Sequence, residues 1–144
     1  MNFPAGARVL KYAWAAPNTA VGLVLGLIGW LSGASARLNN GTVEFAGGRL
    51  FSQAALLPPG YSFCAITFGH VIIAADGPTL IAARRHEEMH VRQYERWGPF
   101  FVPAYLLSSV VQIMRGGNAY RDNYFERQAY GMDAGRKIAS GLDK

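Results

Sequence analysis

The chain has 144 residues, of which 51% are hydrophobic and 16% charged, with a formal charge of +5. That length suits one domain with a real core, and a charged fraction well below the ~25% usual for globular chains points to membrane association. The charge is spread, with four basic and two acidic residues in 1–83 and ten and seven in 84–144; with no basic run or aromatic–basic repeat, nucleic acid is excluded as a partner, whereas anionic lipid suits a mildly basic surface.

Between Lys11 and Arg37 lie 25 uncharged residues, YAWAAPNTAVGLVLGLIGWLSGASA, more than the ~20 that cross a bilayer as a helix. Pro17 and Asn18 interrupt the run, so the pattern predicts a helix from about Thr19 to Ser35. Gly22, Gly26, Gly29 and Gly33 share one face of it. Such a stripe lets a partner helix approach closely in lipid, whereas in water each glycine would cost a helix up to ~1 kcal/mol. Residues 1–37 therefore read as a membrane-anchor segment. The alternative is a cleaved signal peptide on a secreted protein: Arg8 and Lys11 precede the run, and Ala34-Ser35-Ala36 has the form of a cleavage site. Basic residues on both sides give little orientation bias.

Residues 38–144 read as one α+β domain. Asn39-Asn40-Gly41 and Gly47-Gly48 are turn signals flanking a strand, TVEFA. GRLFSQAALL is a strand or a short helix, ended by Pro58-Pro59-Gly60. SFCAITFGHVIIAA is one long strand or two joined near Gly69, and together these make a small antiparallel β element. The single cysteine, Cys64, excludes an intramolecular disulfide and a Cys-rich metal site, and its apolar context predicts a buried, inert thiol. Pro78 or Thr79 opens the next helix, capped by Asp76 or Thr79, and Gly98-Pro99 ends it near Trp97. A second uncharged stretch, Trp97 to Met114, is broken by Gly98, Pro99 and Pro103. It leaves a helix of ~18 Å from about Pro103, too short to span and expected to be buried or interfacial. Helical spacing returns at Tyr120, Tyr124, Phe125 and Ala129, with Asn123 a candidate cap.

The chemistry is concentrated in His86-Glu87-Glu88-Met89-His90, an H-E-x-x-H motif in the middle of a helix that follows a strand. Residues four apart project from one helix side, so His86 and His90 can share one Zn²⁺. Glu87, 100° around the helix, is placed to take a proton from metal-bound water. Catalytic zinc commonly has three protein ligands, and no third histidine follows downstream. Glu126 is the candidate, its alternative being a surface residue paired with Arg121 or Arg127. His70 reads as a structural or cleft-wall histidine. Gln93 and Trp97 continue the histidine face; Gln93 either holds a ligand, lines the cleft or caps a polar seam. Tyr120, Arg121 and Tyr124 are candidate donors to an oxyanion.

HEEMHVRQYERWGPFFVPAYL followed by AYRDNYFERQAY resembles a group of small bacterial membrane-associated zincin-like proteins, related to the gluzincin-type metallopeptidases. The resemblance covers about residues 65–130 and extends loosely to the N-terminal segment. It implies a zincin-like helical core, His86, His90 and Glu126 as zinc ligands, Glu87 as general base, and a place at the bacterial inner membrane. It departs at Asn123-Tyr124-Phe125-Glu126, where N-P-F-E is expected and proline would start the helix carrying the third ligand. The expectation is a membrane-associated zinc metallohydrolase, a peptidase acting on a peptide or protein. The alternative is a non-catalytic accessory subunit of a larger membrane complex, held through a helix partner on the glycine stripe. A zinc-free helical membrane protein is the third reading.

Overall fold

Pro17 does not break the first helix. In the computed structural model, which describes residues 5–56 and 64–131, α1 runs from Ala5 to Leu31 with Pro17 inside it. A mid-helix proline removes one hydrogen bond and costs about 3 kcal/mol. Here the helix is tied down on both sides of it: Lys11 Nζ lies 3.0 Å from Glu95 Oε2, and Asn18 Nδ2 donates to the Gly98 carbonyl at 3.2 Å. These tertiary contacts override the local signal that placed the start at Thr19. The end is also earlier than Ser35. Ala34 N–H donates to Gly29 O and Gly33 N–H to Trp30 O, both at 3.0 Å, with Gly33 at φ 99°. That is a glycine-terminated helix end. By length and composition, two helical stretches, Arg8–Leu31 and Gly77–Met114, are apolar enough to cross a membrane, a test that core helices and signal sequences also pass.

The chain divides into two compact units, Met1–Pro99 and Phe100–Lys144. In the first, α1 is followed by β1 (Ser35–Asn39), β2 (Thr42–Ala46), α2 (Gly48–Ala54), β3 (Ala65–Phe68), β4 (Val71–Ala74) and α3 (Gly77–Trp97). The turn expected at Pro58-Pro59-Gly60 falls outside the described residues. TVEFA is a strand as expected, and the long apolar run is two strands joined at Gly69. β1 was not anticipated: it pairs with β2 through the Asn40-Gly41 turn.

The sheet order is β1-β2-β4-β3, and β2 pairs with β4 in parallel. The purely antiparallel element expected from the sequence is therefore corrected to a mixed sheet. GRLFSQA forms helix α2, which carries the chain away from β2, so β4 returns beside β2 running the same way. β4 is buried along its length, as a central strand covered on both faces must be. Its alternation divides the core. Val71 and Ile73 pack with Phe45, Phe51 and Ala34 beneath α1, while Ile72 and Ala74 pack with Ala46, Leu80 and Val91 beneath α3.

The glycine stripe is spent inside the unit. A methyl group on Gly22 would come 2.7 Å from Val71 Cβ, and one on Gly26 or Gly29 would strike the ring of Phe45 or Phe51. The close approach expected of another helix is made instead by strands and α2 of the same chain, and Gly33 serves as the helix terminus. Outside this stripe α1 is bare: from Val21 to Leu31 every residue except the three glycines is exposed. Cys64 is exposed too, a correction to the buried thiol, because it sits on a bend before the first paired residue of β3.

In the second unit, α4 (Phe101–Met114) leads through a turned segment to α5, residues 124–131. The expected helix is thus present and begins slightly earlier. Phe101 is its buried residue, whereas Leu106, Leu107, Val110 and Ile113 are exposed.

Candidate metal centre

α3 is fixed at both ends and along one face. Asp76 caps it, accepting from Thr79 N–H at 2.7 Å, and that bond holds the Asp76 carboxyl below its ordinary pKa. Pro78 stands at the first turn, where its missing N–H costs nothing. Leu80, Glu87, Val91 and Tyr94 recur at helical spacing among the buried residues, which sets the motif's orientation. Two residues before the motif, Arg84 Nε and Nη2 grip Glu44 Oε1 and Oε2 at 2.8 and 3.0 Å, and Asn39 Nδ2 adds a third bond at 2.9 Å. Glu44 is only 1% exposed. Burial pushes its carboxyl up, but Arg84 and Asn39 outweigh that and leave it below the ordinary range.

On this scaffold the two motif histidines converge. His86 Nε2 and His90 Nε2 lie 3.1 Å apart, with the rings edge to face at 81°. Gln93 Oε1 lies 2.8 Å from His90 Nδ1. An amide oxygen can only accept, so Nδ1 carries the proton, and the Nε2 lone pair of His90 points at His86. A donor set of two imidazole nitrogens aimed at one place, one of them fixed in tautomer by a neighbour, is what a zinc-binding histidine pair requires. Gln93 is thus engaged with His90 and is buried beside it. Glu87 is buried, and Thr67 Oγ1 of β3 donates to its Oε2 at 2.7 Å. Trp97, at the end of the same face, is partly exposed.

In the second unit, Glu126 is buried on α5 and accepts from Tyr105 Oη of α4 at 2.7 Å through Oε1. Asn123 caps α5 as expected, its Oδ1 accepting from Phe125 N–H at 2.9 Å, while its Nδ2 donates to Tyr105 O and Ser109 Oγ. The missing proline is accounted for. Tyr124 brings an N–H that proline would lack, and Ser108 Oγ takes it at 3.0 Å. Of the three oxyanion candidates, Tyr120 is the one whose polar side-chain group meets another side chain among the described residues, while the Tyr124 ring packs edge-on against Phe125. The Tyr120 hydroxyl lies 3.3 Å from that of Tyr130, and burial first, then that contact and the charge of Glu126, push its pKa up. It stays a protonated donor. The side chains of Arg121 and Tyr124 are exposed.

His70 does not sit within a strand. It occupies the two-residue turn between β3 and β4, after Gly69 at φ 59°, a conformation that glycine reaches without strain. It is buried, stacked on Tyr12 with centroids 3.9 Å apart, with Nε2 3.4 Å from Glu95 Oε1. This is a structural position, in line with the sequence reading. Sequence reasoning missed Thr67, Tyr105 and Glu44. Each is a polar residue inside an apolar run, and such a residue needs a buried partner; that was the available signal.

No protein-family model, curated protein or solved structure matches this chain.

Proposed function

We propose that the protein is a membrane-associated, zinc-dependent metallohydrolase of zincin-like fold, a peptidase in which His86, His90 and Glu126 hold the metal. The observation that carries this reading is the 3.1 Å convergence of the two Nε2 atoms, with Gln93 on His90 Nδ1. Each residue supplies a donor atom that zinc accepts, and a His₂Glu set leaves a fourth position for water or substrate. Bound there, zinc would act as a Lewis acid toward a carbonyl and lower the pKa of a bound water. Glu87 is the general base. Thr67 orients its carboxylate through Oε2, and the proton it receives is passed to the departing amine. Tyr105 Oη donates to Glu126 Oε1 and orients that carboxylate as a ligand. Tyr120, kept protonated, is the residue suited to steady an oxyanion.

The burial of Glu87 and His90, 5% and 8% exposed, favours a second reading: a structural zinc site in a non-catalytic subunit of a larger membrane complex. Metal analysis of the purified protein tests the shared premise, with one zinc per chain expected and its loss in His86→Ala. A folded, metal-free wild type refutes both readings. Glu87→Gln then separates them. An enzyme keeps its zinc and loses peptide turnover, whereas a structural site keeps its zinc and the wild type turns over nothing.

A further inference from the structure

We infer that α1 lies in the plane of a membrane surface, with its outward arc in the lipid, and does not cross the bilayer. The inference rests on the membrane association proposed above and is independent of the metal.

The first unit grips α1 along nearly its whole length. Lys11 meets Glu95, Tyr12 Oη donates to Gly41 O at 2.8 Å, Asn18 donates to Gly98 O, and Thr19 Oγ1 accepts from His70 N–H at 3.1 Å. Gly22, Gly26 and Gly29 then rest on Val71, Phe45 and Phe51. From Lys11 to Gly29 this is about 27 Å of helix at ~1.5 Å per residue, almost the ~30 Å hydrocarbon thickness of a bilayer. A spanning α1 would take the sheet into the lipid with it. That sheet is open, with β1 and β3 as edge strands, and lipid-exposed sheet edges do not occur because their backbone groups find no partners there. The Lys11–Glu95 and Arg84–Glu44 pairs would also be drawn to membrane depth. Length and hydropathy allow a span, and the packing forbids it.

The same packing leaves an arc that asks for lipid. One partner helix covers a stripe of roughly 100°, but between Val21 and Leu31 only the glycine face of α1 is covered. A solvent of hydrocarbon reaches all of the remainder at once, and a second protein copy does not. Trp14 near one end and Trp30 near the other are exposed, amphipathic rings suited to the interfacial layer. Exposed Arg8 and Arg37 flank the arc in a chain of charge +5, which complements an anionic headgroup surface.

Cysteine labelling in sealed membranes reads the topology directly. Cys64 is exposed on the body of the unit. In a Cys64→Ser background, Gly6→Cys reports the start of α1, where a side chain meets nothing within 4 Å; Leu27→Cys and Val24→Cys report the arc. With a membrane-impermeant maleimide, Cys64 and Gly6→Cys are expected to react from the same side of the membrane. Leu27→Cys and Val24→Cys should lose labelling in the membrane and regain it in detergent. Reaction of Cys64 and Gly6→Cys from opposite sides overturns the inference in favour of a span. Full labelling of both arc positions in intact membranes overturns it as well. A protein recovered entirely in the soluble fraction refutes membrane association itself; if it is then a dimer that Leu27→Arg dissociates, a second copy covers the arc.

Discussion

Gln93 Oε1 lies 2.8 Å from His90 Nδ1, one helical turn beyond the motif, and leaves Nε2 as the nitrogen of His90 that carries the lone pair. Without that acceptor both tautomers of the ring become available and its orientation loosens. Gln93→Ala should weaken zinc binding by about 10–100-fold while leaving the fold intact, as measured by competition with a chelating dye. An unchanged affinity would mean that the amide oxygen does not govern the ligand.

The Arg84–Glu44 pair joins α3 to β2 and gives the fold a pH dependence. Glu44 is held below its ordinary value of 4.5 by Arg84 and Asn39 despite its burial. A carboxylate whose folded pKa is lowered contributes stability that is full above the unfolded value and is lost as pH falls through the folded one. Stability should therefore decline from about pH 4.5 downward, and Glu44→Gln should flatten that limb in thermal melts. Arg84→Met leaves the carboxylate buried at neutral pH without its ion-pair partner and with Asn39 as its remaining side-chain donor. It should cost about 3 kcal/mol, the lower end for breaking a buried pair, because the Arg84 side chain retains 29% exposure.

Gly22 faces Val71 Cβ and the Phe68 carbonyl, neither of which can rotate away. Gly22→Ala should destabilise by about 1–3 kcal/mol through overpacking, against a propensity gain of at most ~1 kcal/mol. Gly6→Ala, with open space around it, should be neutral or slightly stabilising. Equal melting temperatures for the two variants would contradict the packing of α1 on the sheet.

Asn123 performs two tasks at once, capping α5 through Oδ1 and bonding α4 through Nδ2. Asn123→Asp keeps the cap and loses the donors, whereas Asn123→Ala loses both. Alanine should cost about 1–2 kcal/mol for the cap and more for the acceptors left on Tyr105 and Ser109. Aspartate should fall between alanine and wild type in denaturant titration.

What the sequence made legible was whatever depends on neighbours along the chain. The strand Thr42–Ala46, the α3 cap at Asp76, its stop at Gly98 and the cap at Asn123 are all local signals, and each is where the pattern placed it. The misses are matters of tertiary structure. Pro17 is tolerated because Glu95 and the Gly98 carbonyl, some eighty residues downstream, anchor the helix on both sides of it. The glycine stripe was correctly read as a demand for close approach, but spacing cannot say whether a strand or a helix answers it. His86, Glu87 and His90 follow from the motif, whereas Thr67 as the partner of Glu87 in the first unit, and Tyr105 as that of Glu126 in the second, are found only once the strand and helix that present them are in place.

The crossed pairing of β2 with β4 also sets an order of arrival. α1 precedes the sheet in the chain, and the surface its glycines rest on includes Val71. Val71 leaves the ribosome some forty residues after Leu31, about 2–8 s later at ~5–20 residues per second. During that interval Phe45 and Phe51 become available to Gly26 and Gly29, while Gly22 still lacks the strand it rests on. The support under Gly22 is therefore the last part of the helix's seat to be synthesised, and the face closes from its Gly29 end toward its Gly22 end.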